Sequence, residues 1–108
     1  MSLKPLSARE RAAALEKATA ARAIRAQAKQ KIKSGQLGMA QVIAAADRDE
    51  ALGRLKVSEL LESLPGVGQV RTGAIMEQLN IAQSRRLRGL GIHQRKALIS
   101  WFEGFRKG

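Results

Sequence analysis

Apolar positions recur at helical spacing along most of the chain. Val57, Leu60, Leu61 and Leu64 fall at i, i+3, i+4 and i+7 and predict a short helix. Pro65 ends it, because the proline ring removes a donor and clashes with the preceding turn. Gly66 and Gly68 supply backbone angles and close approaches that a side chain would block. From Gln69 the pattern is helical again, with Val70, Ala74 and Ile75 to Leu79 as a second apolar face ending near Asn80. This stretch therefore reads as helix, tight turn, helix. Gly73 interrupts the second helix at about 1 kcal/mol of propensity against alanine; either another backbone passes close to it or the helix tolerates it.

The flanking segments follow the same period. Ser7 and Glu10 form a capping-box signal, and from there to about Lys33 the chain is rich in good helix formers. Such a helix would be about 39 Å long, with Ser34-Gly35 as its stop. It carries a thin apolar stripe of Ala14, Ala21, Ile24, Ala28 and Ile32, beside a basic stripe of Arg11, Arg22, Arg25, Lys29 and Lys33. Alanine buries little area, so only the later half, near Ile24 and Ile32, is expected to dock. Met39, Val42, Ile43 and Ala46 predict a core helix, and Asp47 to Glu50 a polar break. Ala51, Leu52 and Leu55 predict a further turn of helix, and Lys56 leads into the hairpin. Ile81 should be buried in a connector, and Ser84 should cap a short helix anchored by Leu87 and Leu90. The last helix is expected from about His93 to Phe105, with Leu98, Trp101, Phe102 and Phe105 on one stripe. That stripe holds every aromatic residue of the chain, so the aromatics read as core rather than as base-stacking platforms. The fold class is all-α, with Met1 to Leu6 as a flexible tail and residues 7–35 as a long basic helix.

Composition narrows the function. The 108 residues suffice for one small domain. Lys and Arg number 20 against 9 Asp and Glu, a net charge of +11, with an isoelectric point near 11.4. Residues 1–36 carry +7, residues 37–64 carry −2 and residues 65–108 carry +6. A polyanion should therefore meet the two ends of the sequence, with the middle as scaffold. No apolar run reaches the ~18–20 residues needed to cross a bilayer, and no signal-peptide pattern opens the chain, so the expected location is cytoplasmic. The basic helix lacks the Trp, Phe and Leu that a lipid-surface helix buries, so no membrane partner is expected. There is no cysteine and a single histidine, His93, which disfavours a metal site. Asp47, Asp49 and Glu50 lack the spacing and glycine of a calcium loop. No cofactor is expected.

The candidate chemistry is phosphate binding. The leading amides of a helix have no partner within it and carry partial positive charge, and small residues in front let an anion approach them. Gly66, Val67, Gly68 and Gln69 form such an approach, with Arg71 and Thr72 in the first turn. Arg85, Arg86 and Arg88 fall within four positions and offer forked donors suited to phosphate. Gly89 and Gly91 precede a second helix start, with His93, Arg95 and Lys96 in the turn that follows. Arg22, Arg25 and Lys29 on the basic stripe add a weaker contact. Set against these is the plain alternative of turns and solvated charge, which the strongly basic balance of the chain disfavours.

These residues also carry a family likeness. The Leu64 to Gly68 turn resembles that of helix-hairpin-helix DNA-binding modules. Taken with Lys56-Val57-Ser58-Glu59-Leu60-Leu61 before it, and with Arg85 to Gly91 and Gln94-Arg95-Lys96-Ala97-Leu98 after it, the chain closely resembles the actinobacterial integration host factors. The Glu10 to Lys17 stretch and the Leu52 to Lys56 stretch match too, so the likeness spans nearly the whole chain. It departs at Gly66 and Gln69, where some relatives carry lysine. The resemblance implies a helix-two-turn-helix domain over residues 36–108, akin to ribosomal protein S13. It implies a nucleoid-associated protein that is not an enzyme. Such a protein binds duplex DNA with little sequence preference, bends or compacts it, and assists phage integration alongside an integrase complex, as a monomer. A structural RNA-binding protein of the S13 type is the alternative. A glycosylase or lyase is disfavoured, since no amino-terminal nucleophile with a neighbouring carboxylate and no zinc ligands are present.

Overall fold

Ser7 starts the first helix by accepting the Glu10 amide on its hydroxyl at 3.1 Å, the satisfied half of the expected box. In the computed structural model, which describes residues 5–107, helix α1 runs Ala8–Lys33 and ends at Ser34, with Gly35 following at φ +83°. Of the expected tail, Met1 to Lys4 lie outside the described residues. Helices α2 (Met39–Arg48) and α3 (Glu50–Gly53) are separated by Asp49, whose carboxylate caps α3 through the Leu52 amide at 3.2 Å. Helix α4 (Val57–Glu62) is followed by the hairpin turn and α5 (Gln69–Gln78), and α6 spans Ile92–Lys107.

Helix α2 lies at the centre, packed against α3, α6 and the turn at Leu87, while α1 packs mainly on α3 and α4 pairs with α5. The core runs through all of them: Met39, Val42 and Ala46 from α2, Leu55 and Val57 beside them, Leu60 and Leu61 from α4, Met76, Leu87 and Leu98. Ile81 is buried as expected. The long first helix docks only by its later half, through buried Ala28 and Ile32 and partly buried Ile24. Its first half is solvated, with Leu15 65% exposed.

Several expectations are corrected. Val70 does not belong to the apolar face of α5, being 90% exposed; that face is Thr72, Ile75 and Met76. No helix starts at Ser84: the backbone at Arg86 is extended and pairs with Lys56, and only a 3-10 turn, Leu87–Gly89, follows. Of the aromatics, Phe102 is buried, whereas Trp101 and Phe105 are half-buried at the edge of the core. Gly73 faces the tip of Gln83 at 3.6 Å from an added Cβ, so no other backbone presses on it.

The close approach falls at Gly53 instead. A Cβ there would stand 2.9 Å from the Ala46 carbonyl oxygen and 3.1 Å from Arg88 Cβ. Glycine is thus needed where α2, α3 and the arginine loop meet. Replacing Gly53 by Ala should destabilise the fold by about 1–3 kcal/mol through overpacking, against the usual helix preference for alanine, as thermal unfolding by circular dichroism will read.

Candidate nucleic-acid interface

The hairpin turn is set from below. Buried Leu64 and Val67 anchor it, with the Val67 amide donating to the Leu64 carbonyl at 3.1 Å. Gly66 takes the left-handed angle, φ +76°, that disfavours side chains. Gly68 is extended, a conformation open to any residue; what it contributes is space, since nothing among the described residues lies within 4 Å of a Cβ built there. Gly68 is the N-cap of α5, and no side chain among the described residues caps it. Thr72 is where the intrahelical bonding begins, its amide reaching the Gly68 carbonyl at 2.9 Å. The earlier amides of α5 therefore lack helical acceptors and open onto exposed Gln69, Val70 and Arg71.

Two side chains of this turn differ from expectation. Thr72 is 1% exposed and its hydroxyl has no hydrogen-bond partner among the described residues, so it faces the core and cannot reach an anion in solvent. Val67 likewise is buried, and its amide is taken by the Leu64 carbonyl. Arg71 is exposed, with Nη1 donating to the Gly66 carbonyl at 3.4 Å and its guanidinium 5.6 Å from the centre of the Phe105 ring.

The triple-arginine segment is held by main-chain pairing. The Val57 amide donates to the Arg85 carbonyl at 3.0 Å and the Leu87 amide to the Leu55 carbonyl at 2.9 Å. Leu87 and Leu90 are buried beneath it, as expected, and Arg85, Arg86 and Arg88 are exposed. Arg85 Nη1 donates to the Gly89 carbonyl at 2.9 Å and Arg86 Nη1 to the Arg54 carbonyl at 2.6 Å. Each guanidinium is thereby oriented and still keeps free donors.

Arg22, Arg25 and Lys29 of α1 form one wall of a groove whose other wall is Arg54, Lys56 and Arg86, with Glu59 among them. An adjoining depression is lined by Arg54, Arg85, Arg86, Arg88 and Gly89, with Glu50 at its side. Arg54 and Arg86 belong to both, so the two depressions adjoin at these side chains. The structure thus joins the basic stripe to the arginine loop. It adds Arg54 and Lys56, which the sequence reading left within an acidic scaffold segment. Their signal was the string Arg54-Leu55-Lys56, one apolar residue between two cations. Arg25 Nη1 also donates to the Ala51 carbonyl at 3.3 Å, tying α1 to α3.

The remaining candidates stand apart. None of Gly66, Gly68, Gln69 and Arg71 lines either depression. At the start of α6 the Gly91 amide is taken by Gln94 Oε1 at 3.0 Å, and Gln94 also donates to the Asn80 carbonyl at 2.9 Å. That helix start is partly closed from within, with His93 and Lys96 exposed beside it. Arg95 is committed within the fold: it grips the Asp47 carboxylate with two N–H groups at 2.6 and 2.9 Å and the Leu90 carbonyl with its Nε. The Arg95 hydrogen bonds hold the Asp47 carboxyl below its ordinary value. Among the described residues, no three His, Asp or Glu side chains stand together to hold a metal ion, and no helix is long and apolar enough to cross a membrane.

Comparison with known proteins bears on this arrangement directly. Residues 32–102 match the S13-like H2TH domain. The chain is 53% identical over 103 residues to the integration host factor of Mycolicibacterium smegmatis, covering 95% of this chain and 98% of that one. The chain belongs to the integration host factor family. The family's Mycobacterium tuberculosis member is 54% identical over 102 residues, covering 94% and 97% of the two chains. Its Streptomyces coelicolor member is 52% identical over 94 residues, covering 87% and 88%. A solved structure of sIHF bound to an 8 bp palindromic DNA superposes with a TM-score of 0.77 at 48% identity, covering 81% of this chain and 98% of that one. The fold is therefore the all-α, S13-like helix-two-turn-helix arrangement behind a long N-terminal helix.

Two outcomes follow from these side chains. Thr72→Val, which removes the unpartnered hydroxyl at constant shape, should stabilise the fold by about 1 kcal/mol and leave DNA affinity unchanged; a drop in affinity would restore Thr72 to the contact surface. Asp47, whose folded pKa is lowered, stabilises the fold above its unfolded value and loses that contribution as pH falls through the folded value. Asp47→Asn should therefore lower the thermal midpoint at neutral pH and show a smaller acid-induced decline below about pH 4 than the parent.

Proposed function

We propose that this protein binds double-stranded DNA mainly through its phosphate backbone, with little sequence preference, and bends or compacts the DNA as an architectural protein of the nucleoid. The observation that carries this reading is the convergence of Arg22, Arg25 and Lys29 with Arg54, Lys56 and Arg86 in one groove, beside a second depression lined by Arg85 and Arg88. Cations brought together from three separate stretches of chain repel one another unless a polyanion lies between them. A linear polyanion can lie across two adjoining basic depressions better than a compact one can. The solved sIHF complex is with DNA, which favours duplex DNA over RNA.

The open start of α5, with Gly66, Gly68, Gln69 and Arg71, is a second phosphate contact of a different kind, made by amides as well as by a guanidinium. Gly89 lines the arginine depression. Gly91, His93 and Lys96 are outlying contacts at the α6 start. Phosphate contacts fix orientation but carry little base information, which accounts for weak sequence discrimination. We further read the protein as a monomer without catalytic activity, acting in the cytoplasm on the nucleoid, and lending its DNA bending to phage integration with an integrase complex.

With six to eight phosphates neutralised, affinity should fall by about 10³-fold or more between 50 and 200 mM salt. Replacing Arg85, Arg86 and Arg88 by Ala should abolish tight binding and cut the log–log salt slope by about 2.7, at about 0.9 per phosphate, with circular dichroism unchanged. Titrations with structured RNA run in parallel decide the substrate: tighter binding to RNA at equal salt would replace duplex DNA with an S13-like RNA target.

A further inference from the structure

We infer that Phe105 is a positioning residue for the hairpin contact: its ring holds the Arg71 guanidinium beside the open start of α5, so that Phe105 strengthens DNA binding without touching DNA. The inference rests on the reading of that helix start as a phosphate contact.

The Phe105 ring is itself fixed. It stacks on Trp101 at 5.1 Å between centroids and 17° between planes, and leans on Phe102 at 6.4 Å and 33°. Phe102 is buried in the core, so the cluster transmits the core's rigidity to a surface ring. The Arg71 guanidinium sits 5.6 Å from the centre of that ring, within cation–π range. Its Nη1 donates to the carbonyl of Gly66, the residue whose φ of +76° makes the turn.

A ring face attracts a guanidinium without using any of its N–H groups. Of the five donors of Arg71, one engages Gly66 and the rest stay available at the side of α5 where the leading amides are unpaired. An arginine free in solvent would lose its rotamer freedom on gripping a phosphate. One already lying on a fixed ring loses less, and the difference appears as affinity. The last turns of α6 thus contribute to a contact made some thirty residues earlier in sequence.

The test is a thermodynamic cycle on the full chain, read by anisotropy with a labelled duplex across a salt series. Circular dichroism and thermal unfolding run beside it. Phe105→Leu should weaken binding about two- to fivefold, and Phe105→Tyr, which keeps the ring, should restore parental affinity. Arg71→Ala should lower the salt slope by about 0.9. Adding Phe105→Leu to Arg71→Ala should change nothing further. Phe105→Met serves as the ring-less variant if Phe105→Leu loses helix content. An equal loss in both backgrounds, no loss, or tighter binding on removing the ring would each overturn the inference. Arg71→Ala indistinguishable from the parent, with the Arg85, Arg86 and Arg88 replacement still damaging, would sink the hairpin contact and leave the DNA-binding reading intact. An absence of salt-dependent binding in the parent would sink that reading itself.

Discussion

Two main-chain hydrogen bonds tie residues 55–57 to residues 85–87, and the basic groove exists because of them. Leu55 and Leu87 are buried on the inner side of this short pairing. Side chains alternate along extended backbone. With the two leucines inward, extended Lys56 and Arg86 are therefore carried to the outer surface, and Arg54, in the helical conformation that ends α3, is exposed beside them. The Arg86 guanidinium then spans the pairing to the Arg54 carbonyl, which orients it and stiffens the join. Gly53, pressed between Ala46 and Arg88, lets the arginine loop approach α3 closely enough for this pairing to form.

The second wall of the groove comes from α1. Its thin apolar stripe docks through Ala28 and Ile32, and Arg25 is bonded to the Ala51 carbonyl. Arg22, Arg25 and Lys29 are thereby placed opposite Arg54 and Lys56. Glu59 and Glu50 offset part of the repulsion, and the Arg54–Glu50 pair at 2.9 Å is one visible form of that. Exposed pairs of this kind contribute little stability. The lining stays predominantly basic, with Glu50 and Glu59 facing the arginines and lysines of both depressions.

The hairpin is a different sort of anion site. Its donors are amides left over by helix geometry, and its one guanidinium lies on an aromatic ring. The start of α6 looks similar in sequence, with glycine in front and basic residues after, yet Gln94 takes its Gly91 amide and Arg95 is committed to Asp47. The two glycine-led helix starts thus diverge through side chains whose partners come from elsewhere in the chain.

The amino-acid sequence determined the helices of this protein, its central turn, its basic stripes and most of its core. Period, capping residues, proline and glycine act over a few neighbouring residues, so their consequences are legible without a fold. It also carried the family likeness, which rests on the same local strings. Tertiary structure decided the rest. Whether Ser84 caps a helix depended on residues 55–57 offering a stronger backbone pairing to Arg85 and Leu87. Whether Thr72 faces solvent depended on which side of α5 meets the core. That Arg54 and Lys56 join Arg22, Arg25 and Lys29 depended on where α1 docks. Each of these is set by contacts between segments distant in the chain, and local period carries no record of them.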